Sequence, residues 1–538
     1  MKFNTILATV AISFLASCGQ PAEDTTPITS DNIRAHMKFL ASDLMEGRET
    51  GSRGYDIAAQ YVATQFELEG LHPAGTDGYF QPVKFMRTTL AEGSAKAGLT
   101  SGNNFEPLVF AKDFLTYGGT GAPHEQLDAP VVFAGYGISA PSLDHEDYVD
   151  IDVKGKVIAI LGGAPSRFPT DERAFYSSTR GKVQAAVEKG AVGVIMLRTK
   201  SSAERNPWDR MVKGVNSPGF SWVDADGLSS NPSALMKGSM VVSKAGADKL
   251  FANAPISFED VLAAAESDTL TSFDLAISVS MERRSNQTWM ESANIAGILE
   301  GSDPSLKHEY VIYSAHLDHV GVRPSNGEDT IHNGAYDNAA GTAIVLEMIK
   351  AMKKAKPKRS IMFLMVTAEE KGLQGSDFFA QNPTVPKAQI VANINIDMPV
   401  LEFQSKDLIA FGGKHTTLIT PVERAAEKVG LTLSPDPWPA MVIFIRSDHF
   451  SFVKQGIPAV MLWPGLTATD PEIDGDKSRK GFMSTHYHRP SDDMSLPFDP
   501  AAAEQYARMN YLVGLDVANA KDRPKWQDNN FFGNLFAQ

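Results

Sequence analysis

Cysteine is almost absent: Cys18 is the single one among 538 residues. No intrachain disulfide can form, so the fold must rest on packing, hydrogen bonds or bound ions. Long apolar runs are missing as well. Residues 6–16 are apolar but too few to cross a bilayer, and no later stretch reaches the roughly 18–20 uninterrupted apolar residues that a span requires. Positive charge is in deficit: 50 Lys and Arg face 64 Asp and Glu, for a formal net charge of -14. That balance argues against a nucleic-acid partner and suits divalent cations or cationic peptides. Internal repeats and low-complexity tracts are also absent. What remains is an ordinary globular composition, 43% apolar, long enough for roughly two to four domains with ample core.

The N-terminus carries an address. Lys2, the apolar stretch 6–16 and Leu15-Ala16-Ser17-Cys18-Gly19 resemble a bacterial lipoprotein signal, with Cys18 lipidated after removal of 1–17. The alternative is a buried cysteine behind an ordinary signal peptide. The segment 18–30 is polar, bears proline and reads as a flexible tether. The expected location is an exported, membrane-anchored lipoprotein, and Gly19 favours the outer membrane of a two-membrane cell. Ser30 and Asp31 can then cap a helix running toward Met45. A second helix follows, with Ile57, Ala58, Tyr61, Val62 and Phe66 on one face and Gly70 at its end.

From 126 to 274 the texture changes. A strand over 131–138 enters a glycine turn, 157–161 is a buried strand, 182–189 is helical, and 190–195 leads into another strand. The strings FAGYG, VKGKVIAI and EKGAVGVIM resemble the protease-associated (PA) domain, which implies a β-rich insertion. The alternative is that these are further elements of one large domain. No candidate ligand falls within this stretch, so it is expected to shape substrate access.

From about 294 the pattern alternates strand and helix. Apolar runs at 310–315, 360–366, 390–396 and 457–463 read as buried strands, and 339–352 reads as a helix. Such strands imply an α/β fold, a mostly parallel sheet sandwiched by helices. In that architecture ligands bind beyond the carboxyl ends of the strands.

Five candidate ligands recur in order, His316 in AHLDH, Asp337 in YDNAAG, Glu370 in TAEEKG, Asp397 in NIDM and His488 in THYHRPSD, and three of these sites, at His316, Glu370 and Asp397, stand at such strand ends. Two His, two Asp and one Glu are the donors that a pair of metal ions needs if one carboxylate bridges them. Glu369 precedes a ligand candidate, where a general base can stand. The bland readings are a structural histidine, a solvated Glu-Glu turn, and an Asp337-Asn338 helix cap, the last compatible with bridging. His486 competes with His488 as the late ligand. His319 and His332 are candidates for the surroundings of the site.

Together these strings resemble the M28 metallopeptidases, over roughly 31–125 and 275–538. The resemblance implies a two-zinc centre, with Mn²⁺ or Co²⁺ as possible substitutes. His316 and Asp397 would ligate one ion, Glu370 and His488 the other, and Asp337 both. Asp318 would orient a ligand or the bridging atom, Glu369 would transfer the proton, and Tyr487 would donate to the developing oxyanion. His488 is favoured over His486 because the family pattern places a tyrosine directly before the ligand. The segment Arg446-Ser447-Asp448-His449-Phe450 resembles one lining the family's substrate cleft. Arg446 is then a substrate contact, or else part of a surface loop. The implied activity is hydrolysis of the N-terminal peptide bond of peptides. A glutamate carboxypeptidase-like activity and a non-catalytic peptidase-like binding protein are the alternatives, and glutaminyl cyclisation occurs on a related scaffold.

Overall fold

The computed structural model describes residues 28–325, 327 and 329–537. Cys18 and the proposed signal lie outside them. Among the described residues no helix is long and apolar enough to cross a membrane.

Four parallel strands form the centre of the main sheet, in the spatial order Ser360–Val366, Tyr310–His316, Ile390–Asn395 and Ala459–Pro464. All four are buried along their length apart from the half-buried Tyr310 at the start of the second, which explains their nearly unbroken apolar sequence. Antiparallel neighbours flank them: Phe273–Leu299 beside Ser360–Val366, and Asp407–Phe411 beside Ala459–Pro464. Helices Ser30–Leu40, Ala340–Ala355 and Pro500–Asn519 pack together on one side, while Gln374–Gln381 and His449–Val453 pair elsewhere on the sheet.

The first helix is shorter than its sequence suggests. It stops at Leu40, and the chain turns through Asp43–Arg48, where Glu46, Gly47 and Arg48 take positive φ. The turn carries Arg48 into the interior, where it is 1% exposed. The N-cap position is Thr29, one residue before the expected Ser30. The second helix, Arg53–Leu68, is followed by Gly70 at φ 68°.

The 27-residue strand Phe273–Leu299 belongs to two sheets. Its later part pairs with Phe80–Leu90 in the main sheet, and its earlier part pairs with His124–Phe133 and Lys96–Ser101 in a second, β-rich sheet. That second sheet continues through Val157–Leu161, Gly193–Leu197 and Gly238–Val242 in parallel register. It has its own core, which includes Leu99 and Leu108 ahead of residue 126 and Val279 and Met281 beyond 274. The lobe touches the main body through Asp171, 2.8 Å from His415 and from Lys414. Strand Gly219–Trp222 from the same stretch of sequence instead joins the main sheet beside Phe80–Leu90, and its Trp222 indole donates to Asp377 at 2.9 Å.

Candidate metal centre

His316 ends its strand inside the protein. Its Nδ1 lies 3.0 Å from the Asp318 carbonyl, a contact that requires the proton on Nδ1. Nε2 is thereby left to face Asp397 Oδ1 at 3.1 Å and Asp337 Oδ1 at 3.2 Å. Asp397 follows Ile390–Asn395; its Oδ2 accepts from Ser447 Oγ at 2.6 Å and its carbonyl from the Trp463 indole at 2.8 Å. One oxygen is thus anchored and the other free to ligate.

Asp337 stands between two groups. Oδ1 faces His316, and Oδ2 lies 3.1 Å from His488 Nε2. Glu370 puts Oε2 3.0 Å from the same His488 nitrogen and Oε1 2.8 Å from His319 Nδ1. The loop that delivers Asp337 hangs on Asp492, which accepts the backbone N–H of Tyr336 at 2.9 Å and of Asp337 at 3.1 Å. Asn338 Oδ1 accepts from Gly341 N at the start of the following helix and from Met398 N. Capping therefore falls to Asn338, and Asp337 is left to the centre.

The carboxylate of Asp318 turns away from the imidazole. It accepts the backbone N–H groups of Glu369 (3.0 Å) and Glu370 (3.3 Å) and the Thr50 hydroxyl (3.1 Å), so it holds the Glu-Glu turn. The orienting partner of His316 is the Asp318 main chain. Glu369, Tyr487 and Arg446 line a pocket with His316, Asp337 and Asp397. Tyr487 stacks on His488, ring centroids 3.8 Å apart. Arg446 is exposed and leans on the Met441 carbonyl. His486 turns outward to Ser491, and His332 faces the Thr330 carbonyl; neither joins the centre. Sequence reasoning gave no role to Asp492, Ser447 or Arg48. The first two sit inside strings already singled out, but Arg48 has no local signal.

Negative charge exceeds what the histidines can neutralise. Burial pushes the Glu369 carboxyl well above the usual range, and Asp397, Glu370 and Asp448 add to that against the pull of His316. Burial likewise takes Asp318 to about 6 and Asp448 to about 7. Burial opposes charge on His488, yet Asp337 and Glu370 override it and raise its pKa to about 10. Such a cluster is costly without cations. Two groups bring their ligand atoms within 4.8 Å of one another, His316-Asp337-Asp397 and His319-Asp337-Glu370. The nitrogen-and-carboxylate donors suit zinc-type ions. Several of these atoms, both nitrogens of His319 and Oε1 of Glu370, are buried with no hydrogen-bond partner. The residues fit a pair of metal ions.

Histidines and carboxylates gathered at the carboxyl ends of a parallel sheet define the scaffold of a metal-dependent hydrolase. Residues 294–513 match the model of Peptidase family M28. Aminopeptidase YwaD of Bacillus subtilis is 27% identical over 249 residues, 45% of this chain and 46% of that protein. Probable leucine aminopeptidase 2 of Aspergillus fumigatus is 26% identical over 211 residues, 38% of this chain and 40% of that protein. The chain thus spans less than half the length of these relatives. An aminopeptidase from Aneurinibacillus sp. strain AM-1 shares the fold, with TM-score 0.51 and 20% identity over 93% of this chain and 98% of that one.

Proposed function

We propose that this protein is a two-zinc exopeptidase that removes the N-terminal residue of peptides. The observation that carries the reading is Asp337, whose two carboxylate oxygens face two separate sets of histidine and carboxylate donors. His316 and Asp397 would hold one ion, Glu370 and His488 the other, and Asp337 both. Bound ions would polarise the scissile carbonyl and activate a water at neutral pH. The protein's own residues do the rest. Glu369, on the pocket wall, accepts a proton from water and returns it to the leaving nitrogen. Burial holds the Tyr487 hydroxyl well above its ordinary pKa, so it stays a donor for the developing oxyanion. Surplus carboxylate charge favours a free α-ammonium group. Met398, Met441, Met461 and Trp463 make the remaining wall apolar and adaptable, which suits an apolar side chain at the cleaved residue.

Matched peptides with free, acetylated and C-terminally blocked ends test this. Cleavage is expected to require the free amine and to ignore the C-terminal block. Cleavage of acetylated peptides with sensitivity to the C-terminal block would favour the carboxypeptidase reading, with Arg446 as the clamp. The lobe on the second sheet supports a protease-associated insertion that shapes access. Cys18 supports a lipid anchor, outer membrane favoured, which mass spectrometry of the mature N-terminus tests. An unmodified Cys18 there overturns the anchor.

A further inference from the structure

The two halves of the centre differ. His316, Asp337 and Asp397 face the substrate pocket, whereas His319 and Glu370 do not line it. His319 is 0% exposed, at the heart of the second half. We propose that His319 is a fourth protein ligand of the second ion, which Asp337, Glu370, His488 and His319 enclose, while the ion at His316 and Asp397 keeps the open position toward substrate. The inference rests on the two-metal reading above and adds a ligand and an asymmetry to it.

Distances support the shell. Ligand atoms 2.0–2.1 Å from a tetrahedral zinc ion lie about 3.3 Å from one another. Here His319 Nδ1 is 2.8 Å from Glu370 Oε1 and 3.9 Å from Asp337 Oδ2, and His488 Nε2 is 3.1 Å from Asp337 Oδ2 and 3.0 Å from Glu370 Oε2. These values bracket that edge length. The rival role for His319 is a hydrogen bond that positions Glu370. Convergence argues against it: a hydrogen bond needs Glu370 alone, yet His319 Nδ1 also faces Asp337 Oδ2, and ligand atoms of all three residues lie within 4.8 Å of one another. Ligand atoms of three residues that converge in this way are disposed around one cation. Four protein ligands are the signature of a closed zinc site, and three with an open position that of a catalytic one.

The test is a crystal structure of the zinc-loaded protein with anomalous scattering, together with zinc titrations of the apoprotein and of H319A. Two ions are expected, with His319 Nδ1 at about 2.0–2.1 Å from the second. Dilute chelator is expected to remove the ion at His316 first. H319A is expected to weaken one site by more than the roughly 10–100-fold that follows loss of an outer hydrogen-bond partner. If H319A does not fold, the wild-type crystal and the order of ion loss decide. Two bound ions with His319 beyond ligand distance would overturn this proposal alone. Fewer than two ions in the wild type would overturn the two-metal reading with it.

Discussion

Arg48 donates from Nε to the carbonyl of Leu317 at 2.9 Å, one residue beyond His316. The same buried guanidinium reaches the carbonyls of Asn333 (2.7 Å) and Gly334 (3.0 Å), just ahead of Asp337, and that of Leu40. A residue from the N-terminal turn therefore ties the loop that follows His316 to the loop that leads to Asp337. R48M keeps much of the bulk and strands several buried acceptors. Each costs roughly 1–3 kcal/mol, so a loss of at least about 4 kcal/mol in stability is expected from the four carbonyls, with weaker metal retention. Unchanged melting and metal content would show that the loops hold themselves.

Metal removal is expected to destabilise as well as inactivate. Asp337, Glu370, Asp397 and Glu369 repel one another without cations. An ion present at about a thousand times its dissociation constant contributes about 4 kcal/mol to the folded state. Calorimetry before and after chelation is expected to show a melting temperature several degrees lower, restored by zinc. An identical melting curve would mean that the cluster is held by its hydrogen bonds alone.

The second lobe is expected to act on substrate rather than on metal. Its helix Thr170–Tyr176 places Phe175 6.3 Å from Phe450 and Asp171 2.8 Å from His415, whose ring packs on Phe444. Ile443, Arg446 and Ser447 of that same segment line the pocket. The double variant D171N/F175A is expected to raise KM several-fold for longer peptides and keep the metal stoichiometry. A fall in metal content with KM unchanged would contradict this.

Much of the site was legible because its residues stand at strand ends, where an unbroken apolar run makes the following His, Glu or Asp conspicuous. The runs ending near His316, Glu370 and Asp397 became the adjacent strands Tyr310–His316, Ser360–Val366 and Ile390–Asn395. Residues that orient these ligands were not legible. Arg48 and Leu317 are 269 positions apart and Asp492 and Tyr336 are 156 apart, so no local pattern records their contact. The helix end at Leu40 was hidden for the same reason: the turn after it is dictated by where Arg48 must go. Asp318 shows a subtler limit. The sequence places it two residues past His316, but which chain its carboxylate holds depends on the Glu369–Glu370 turn lying opposite.

A pH dependence follows from Lys182 in the second lobe. It is fully buried, donates to the carbonyls of Leu161 (2.9 Å) and Gly163, and lies over the Tyr136 ring. Burial lowers its pKa to about 7, against a weaker pull upward from Asp147. Between about 7 and its unfolded value near 10.4, the unfolded chain binds more protons than the folded one. Stability should therefore rise with pH through that window and be flat below it, as far as this group is concerned. Melting of wild type and K182M from pH 6 to 10 checks this. A wild-type slope that survives in K182M would assign the dependence to other groups.

The two adjacent glutamates are expected to fail in different ways. Glu369 faces the pocket, and burial with neighbouring carboxylates holds its proton affinity high, as a group that takes and returns a proton needs. Glu370 directs one oxygen to His319 and the other to His488, the disposition of a ligand. Asp318 holds the backbone of both, so either glutamine variant should keep the turn in place. E369Q keeps shape and hydrogen-bonding capacity but cannot accept a proton. It is expected to retain both ions while turnover falls by at least roughly 10²–10⁴-fold. E370Q replaces a charged ligand with a weaker neutral one, so one ion should be lost and activity should partly return at high zinc. Metal stoichiometry and turnover measured on both variants separate these outcomes. Loss of an ion from E369Q and not from E370Q would exchange the two roles and place the ligand one residue earlier in the chain.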